Sequence, residues 1–292
     1  MTITTLKLLA LIFMFIDHIG EFIPNTPEWF RWIGRLSAPI FFFCMAWGFH
    51  YTYNRKKYMI RLYLCGVGMG CMNILFQMIG QKEINNNIFV TLFISSFFIY
   101  IIDLIKVDRK KGIKILIIFL IWQIVNTTAI ILIIDVFRSY FSSYLNQYFY
   151  SAIFANCFIN EGGIIFVLLG VFFYYVKENK RKLSIVYIVF SLIYTVLYAT
   201  NIPGRILYRL EPICSKTVCD IMYLIEGLLN VNRFAIYGTR FYEVVNYFWM
   251  VIFALPFILM YNGKKGKGFK YFFYLFYPLH IYILYLMGNK YF

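Results

Sequence analysis

Residues 5–23 read TLKLLALIFMFIDHIGEFI. A run of this length and apolarity crosses a hydrocarbon core of ~30 Å as one helix, yet Asp17, His18 and Glu21 interrupt it toward its far end. On insertion scales a charged residue at the bilayer centre costs ~2.5–3.5 kcal/mol, and less near an interface. Three titratable side chains kept together inside a span therefore mark a functional cluster. Ile16, Ile19, Phe22 and Ile23 keep the segment apolar around them, which argues against these residues merely opening the following loop. The far end is too polar for the core of a signal peptide, and no small-residue cleavage site follows, so the segment reads as a retained span.

The rest of the chain repeats the pattern. Of its 292 residues 62% are hydrophobic, 22% aromatic and only 14% charged, which leaves no soluble domain. Apolar runs fall at about 5–23, 32–53, 58–80, 88–105, 113–134, 161–176, 183–200, 243–261 and 270–288. The expected fold is an all-α, polytopic membrane helix bundle of nine to ten transmembrane helices, forming one domain over residues 1–292. The tenth is the stretch from Ile221 to Val231, apolar enough for a re-entrant or spanning segment. A net charge of +15 would suggest nucleic acid in a soluble protein. Here the cations form four clusters between apolar runs: Arg55, Lys56, Lys57 and Arg61; Lys106, Arg109, Lys110, Lys111 and Lys114; Lys177, Lys180, Arg181 and Lys182; Lys264, Lys265, Lys267 and Lys270. The positive-inside rule puts all four in the cytoplasm. The N-terminus is then cytoplasmic and the C-terminus outside, with the polar segment at 201–242 mostly on the outer face.

That topology lets depth be compared between helices at 1.5 Å per residue. His18 and Arg35 lie about level across a short antiparallel connection. Glu21 is one turn from both Asp17 and His18, so Arg35 is expected to neutralise one carboxylate while the other orients the imidazole. Asn73 and Gln77, the run Asn85–Asn87 with Thr91, and Asn126–Thr128 fall in the same outer third. Hydrogen bonding between helices would explain any one of them; their common depth points to a polar cavity.

Two further stretches carry a family resemblance. The opening KLLALIFMFIDHIG, then Ile33-Gly-Arg-Leu-Ser-Ala-Pro-Ile-Phe41, resembles the start of the TraX family. The resemblance extends through Gly48, Thr52, Asn54, Arg55, Lys57, Tyr58 and Arg61, the stretch Asn87-Ile-Phe-Val-Thr-Leu, and Tyr277-Pro-Leu-His280. It departs from the family pattern at Ala38 and in the long segment 201–242. The resemblance implies a bacterial cell-membrane acetyltransferase. Its co-substrate would be acetyl-CoA, and its acceptor an amine or hydroxyl on a pilin-like peptide terminus or an envelope glycan.

The residues can be assigned to that chemistry. Asn54, Arg55, Lys57, Tyr58 and Arg61 are the expected donor contacts, because Arg and Lys pair strongly with phosphate oxygens. His18 is the expected general base, with Asp17, Glu21 and Arg35 completing the catalytic group. Burial and a nearby carboxylate act on an imidazole in opposite senses and can offset. Arg35 or the Asn73 amide is the candidate for stabilising the oxyanion. Asn73, Asn87 and Thr91 are expected acceptor contacts, and His280 a second contact for thioester or acceptor. His50 reads as an interfacial residue or donor contact. Arg205, Arg209, Glu211, Lys216, Asp220, Glu226, Arg233 and Arg240 make 201–242 a candidate acceptor-recognition segment or lid. The six cysteines lack the spacing and histidine partners of a zinc site, so no metal is expected; Cys214 and Cys219 are close enough in sequence for a local disulfide. Gly66, Gly68 and Gly70 offer a close-packing face within one chain or in a homo-oligomer. The competing expectation is a proton-coupled transporter or flippase built on Asp17, His18, Glu21 and Arg35.

Overall fold

The computed structural model describes residues 1–80, 84–137, 147–229, 231 and 246–289, so Arg233 and Arg240 lie outside the described residues. In chain order the helices are α1 (Ile3–Phe22), α2 (Trp29–Gly34), α3 (Ser37–Tyr51), α4 (Arg55–Gly80), α5 (Ile88–Val107), α6 (Arg109–Phe137), α7 (Gln147–Phe154) and α8 (Gly163–Val176). They continue as α9 (Lys180–Tyr194), α10 (Ile202–Leu210), α11 (Lys216–Leu229), α12 (Leu255–Leu259) and α13 (Lys270–Asn289). No strand element occurs among the described residues. The protein is a polytopic membrane helix bundle: seven helices are long and apolar enough to cross a bilayer, at 3–22, 29–51, 55–79, 88–107, 109–133, 180–199 and 271–289.

Two of the nine expected spans are shorter than the sequence suggests. Gly163–Val176 has 14 residues, about 21 Å of helix against a ~30 Å core. Its start is fixed by Gly163 at φ +58°, so the apolar run does not extend back to 161. The other is a 3-10 turn, Phe248–Ala254, continued by α12. Residues 221–229 lie in the 14-residue α11, in which Glu226 is the one buried residue. Glu211 accepts a hydrogen bond from Tyr223 and raises its phenol above the ordinary value, tying α10 to α11. Cys214 and Cys219 are free thiols.

The chain forms two compact units, Met1–Phe41 with Val176–Gly268, and Phe42–Tyr175 with Phe269–Phe292. In the first, the N-terminus of α1 is satisfied by the loop before α13. The Ile3 and Thr4 N–H groups donate to the Lys264 and Lys265 carbonyls at 3.0 and 3.2 Å, and Thr5 N–H to Thr2 Oγ1 at 3.2 Å. These are donors that the helix itself leaves unpaired. Gly266 turns that loop at φ +79°, where a Cβ would crowd Thr2 and Thr4.

In the second unit α4, α5 and α6 surround a core that includes Val90, Ile94, Ile101, Phe119, Ala152, Cys157 and Val167. Against it lies an element that hydropathy does not reveal. The α7 helix starts near Gly70 of α4, where Phe149 and Ala152 pack. It ends where Trp122 of α6 donates to the Phe154 carbonyl at 2.9 Å. Counted from Arg109 at 1.5 Å per residue, Trp122 is ~20 Å from the basic end of α6, within the depth of a hydrocarbon core. The backbone turns back at Ala155, φ +53°, and Thr91 donates to Asn160 Oδ1 at 2.8 Å on the way to α8. The segment 155–162 thus carries non-helical backbone beside α5 and α6. Non-helical backbone at that depth survives only when buried in protein with its polar groups paired. Asn156 supplies much of that pairing. It donates to Asn126 and to Thr127, the latter at 2.7 Å, and accepts the Phe158 and Ile159 N–H groups at 2.9 and 2.8 Å.

Candidate functional site

The α1–α2 hairpin assembles the titratable cluster. Its helices meet through small residues: Gly20 of α1 faces Phe30 and Arg31, and a Cβ on Gly34 would overlap the Asp17 side chain. Asn25 at φ 60° makes the reversal. Asp17 and His18 are buried, and donor atoms of Asp17, His18 and Glu21 lie within 4.8 Å of one another.

Two arginines one turn apart on α2 and its C-cap hold the carboxylates. Arg35 Nη2 donates to both oxygens of Asp17, at 2.9 and 2.6 Å. Arg31 Nη1 reaches Asp17 Oδ1 at 3.0 Å and Glu21 Oε2 at 2.9 Å, and also donates to the Asp17 carbonyl at 3.1 Å. Arg31 Nε donates to the Tyr247 hydroxyl at 3.4 Å. The Arg35 guanidinium lies over Tyr247 and Phe248, 5.6 and 5.4 Å from the ring centres. Two negative and two positive side chains balance, so the imidazole sits in a locally neutral set of fixed charges. The spacing of Asp17, His18 and Glu21 would accept a cation, but one there would face two guanidinium groups already bound to its ligands.

Arg31 and Tyr247 were not singled out in the sequence. Arg31 lies between Trp29 and Trp32 and looks interfacial; the signal for it was its position four residues before Arg35, on the same helix face. Tyr247 adjoins no motif, and nothing in the sequence pointed to it.

The remaining predicted site residues belong to the second unit. Several of the residues expected to line a polar cavity hydrogen-bond to neighbouring elements. The Asn73 amide donates to the Asn86 carbonyl at 3.1 Å, and its oxygen accepts from Tyr282 at 3.1 Å. Asn87 donates to the Gly66 carbonyl at 2.8 Å, while its Oδ1 is buried with no partner among the described residues. Glu161, also not anticipated, accepts from the Asn87 N–H and from Tyr277. His280 is buried, its Nδ1 2.7 Å from the Phe276 carbonyl across the turn containing Pro278.

Of the expected donor contacts, Arg55 is engaged by Asp103 at 2.7 Å and Tyr174 at 2.8 Å, a structural bond between α4, α5 and α8. Asn54 caps α4, accepting the Lys57 N–H at 2.9 Å. Arg61 bonds Tyr274 and lies 6.0 Å from the Tyr58 ring centre. Lys57 is exposed.

A multi-pass helical membrane protein with a buried histidine between two arginine-held carboxylates is the class these features define. The chain belongs to the TraX family, whose model, described as TraX protein, matches residues 2–161. That interval contains the α1–α2 cluster and runs through α7. No curated protein and no solved structure matches the chain.

Proposed function

We propose that the protein is a membrane-bound acetyltransferase that moves acetyl from cytosolic acetyl-CoA to an amine or hydroxyl, with His18 as general base. The acceptor class is a peptide terminus or an envelope glycan presented in the membrane or at its outer face, in a bacterial cell membrane with the N-terminus cytoplasmic. The observation that carries this reading is the buried His18 within 4.8 Å of two carboxylates that Arg31 and Arg35 already neutralise. Charges fixed in this way cost little reorganisation as the reaction develops charge.

The acceptor nitrogen or oxygen attacks the thioester carbonyl, and its proton passes to the imidazole. The tetrahedral intermediate collapses with cleavage of the C–S bond, and the imidazolium returns the proton to the departing thiolate, giving CoA and the acetylated acceptor. Asp17, bound on both oxygens, is a positioning residue. Glu21, held to Arg31 at 2.9 Å, has a carboxylate oxygen within 4.8 Å of His18, and its charge favours the imidazolium. Lys57 and Arg61 are the proposed contacts for the donor's phosphates. Asn87, Thr91 and His280 remain candidate acceptor contacts, with Asn87 Oδ1, which has no partner among the described residues, the strongest of them.

The test supplies purified protein with acetyl-labelled acetyl-CoA and a membrane extract, and follows free CoA and labelled product together. Equimolar appearance of both supports the reading. Folded protein that neither binds donor nor releases CoA would move the cluster to a proton-coupled transporter.

A further inference from the structure

The second unit contains an open groove of about 540 Å³ between α4, α5, α6 and the tip of α7, within the ~300–1,000 Å³ typical of ligand sites. One wall is Lys56, Ile60 and Tyr63 of α4, the other Phe93, Phe97 and Tyr100 of α5, and Trp122 with Phe154 closes the end. Tyr63 and Phe93 pack with ring centres 5.3 Å apart. Because the helices are antiparallel, Lys56, seven residues before Tyr63, and Tyr100, seven after Phe93, mark the other end ~10 Å away.

The closed end offers a ligand little to hydrogen-bond. The Ile153, Phe154 and Ala155 carbonyls, which the end of α7 leaves unpaired, accept from Tyr63 at 2.8 Å, Trp122 at 2.9 Å and Gln123 at 3.1 Å. Those bonds use the Tyr63 hydroxyl and the Trp122 indole N–H. The amide-bearing arm of CoA would find its polar groups unmatched there, whereas a hydrocarbon chain needs no partner. At the other end Lys56 is exposed and makes no ion pair among the described residues, while its neighbour Arg55 is held by Asp103. Ile60 and Trp122, 55% and 43% exposed, open the groove sideways among residues of membrane-spanning helices.

We propose that this groove binds one acyl chain of an anionic bilayer phospholipid, with its net negative headgroup against Lys56. The single cation and the apolar trough behind it match the two parts of such a lipid, and lateral opening lets the chain enter from the bilayer.

The experiment reconstitutes the full chain in nanodiscs of phosphatidylcholine containing a photoactivatable phosphatidylglycerol or, separately, a photoactivatable phosphatidylcholine, and maps the crosslinks. Expected is labelling concentrated at Ile60–Tyr63 and Phe97, well above that around Leu75, an exposed α4 residue outside the groove. Lys56→Gln should lower phosphatidylglycerol labelling about fivefold, the effect of one lysine near an anionic surface, and leave phosphatidylcholine labelling unchanged. Ile60→Trp, which fills the trough, should abolish groove labelling at an unchanged melting temperature. Labelling spread evenly along α4, equal response of both lipids to Lys56→Gln, or competition by free CoA would overturn the proposal. None of these readouts requires acetyl transfer, so the lipid site and the enzymatic reading can fail separately.

Discussion

At the scale of single residues, the cluster stands on the pairing of Asp17. Removing one partner of a buried ion pair typically costs ~3–5 kcal/mol, because the other charge is left behind. Arg35→Ala is therefore expected to lower the melting temperature in detergent sharply, with Arg31 holding Asp17 alone. Adding Asp17→Asn should restore part of the loss, since the orphaned charge is gone; a double variant less stable than Arg35→Ala would show that the pair is not the source. Asp17, His18, Glu21 and Arg35 were legible in the sequence because charge within an apolar span is costly enough to stand out. Arg31, within the short α2 between Trp29 and Trp32, costs little there by composition and was hidden for that reason. The pairing of Arg55 was not legible, on the opposite ground. Its partner Asp103 is far away in sequence, and only folding brings α4, α5 and α8 together.

At the scale of elements, the close approach of α1 and α2 depends on Gly34. Gly34→Ala must push Asp17 aside, and overpacking of this kind costs ~1–3 kcal/mol. Loss of stability together with the arginine–aspartate pairing is expected in thermal melts. Gly68→Ala on α4, where an added Cβ meets nothing within 4 Å, is expected to be neutral; equal effects would mean that the hairpin is not held by this contact. The tip of α7 carries a second prediction. Tyr63→Phe strips the part-buried Ile153 carbonyl of its donor, a loss of ~1 kcal/mol, and faster hydrogen exchange over 147–162 should accompany it. Hydropathy located the long spans, including α1 and α4–α6, because each is continuous. It overextended α8, whose onset follows the run Asn160–Gly163, and missed α7, which is too short and too ordinary in composition to register.

At the scale of the whole molecule, seven helices have spanning length, while the four basic clusters were placed on one side by counting nine crossings. Between the second and third clusters the chain must return through α8, whose ~21 Å is shorter than an average core but runs beside α5 from Thr91 to Asp103. The expected outcome of impermeant-maleimide labelling in intact cells, with the native cysteines replaced, is that cysteines at Lys110 and Arg181 are both protected. Labelling of either one alone would place α8 within one leaflet and reverse the sides of the helices after it.

The proposed enzyme stands or falls on the buried imidazole of α1 carrying out acyl transfer. The most direct measurement compares wild type, His18→Ala and His280→Ala for label moved from acetyl-CoA to acceptor, at matched expression and melting temperature. His18→Ala is expected to abolish transfer, a loss of at least the ~10²-fold typical for a general base, while His280→Ala retains turnover and at most weakens acceptor binding. Undiminished transfer by a folded His18→Ala protein would refute the role of His18 as general base.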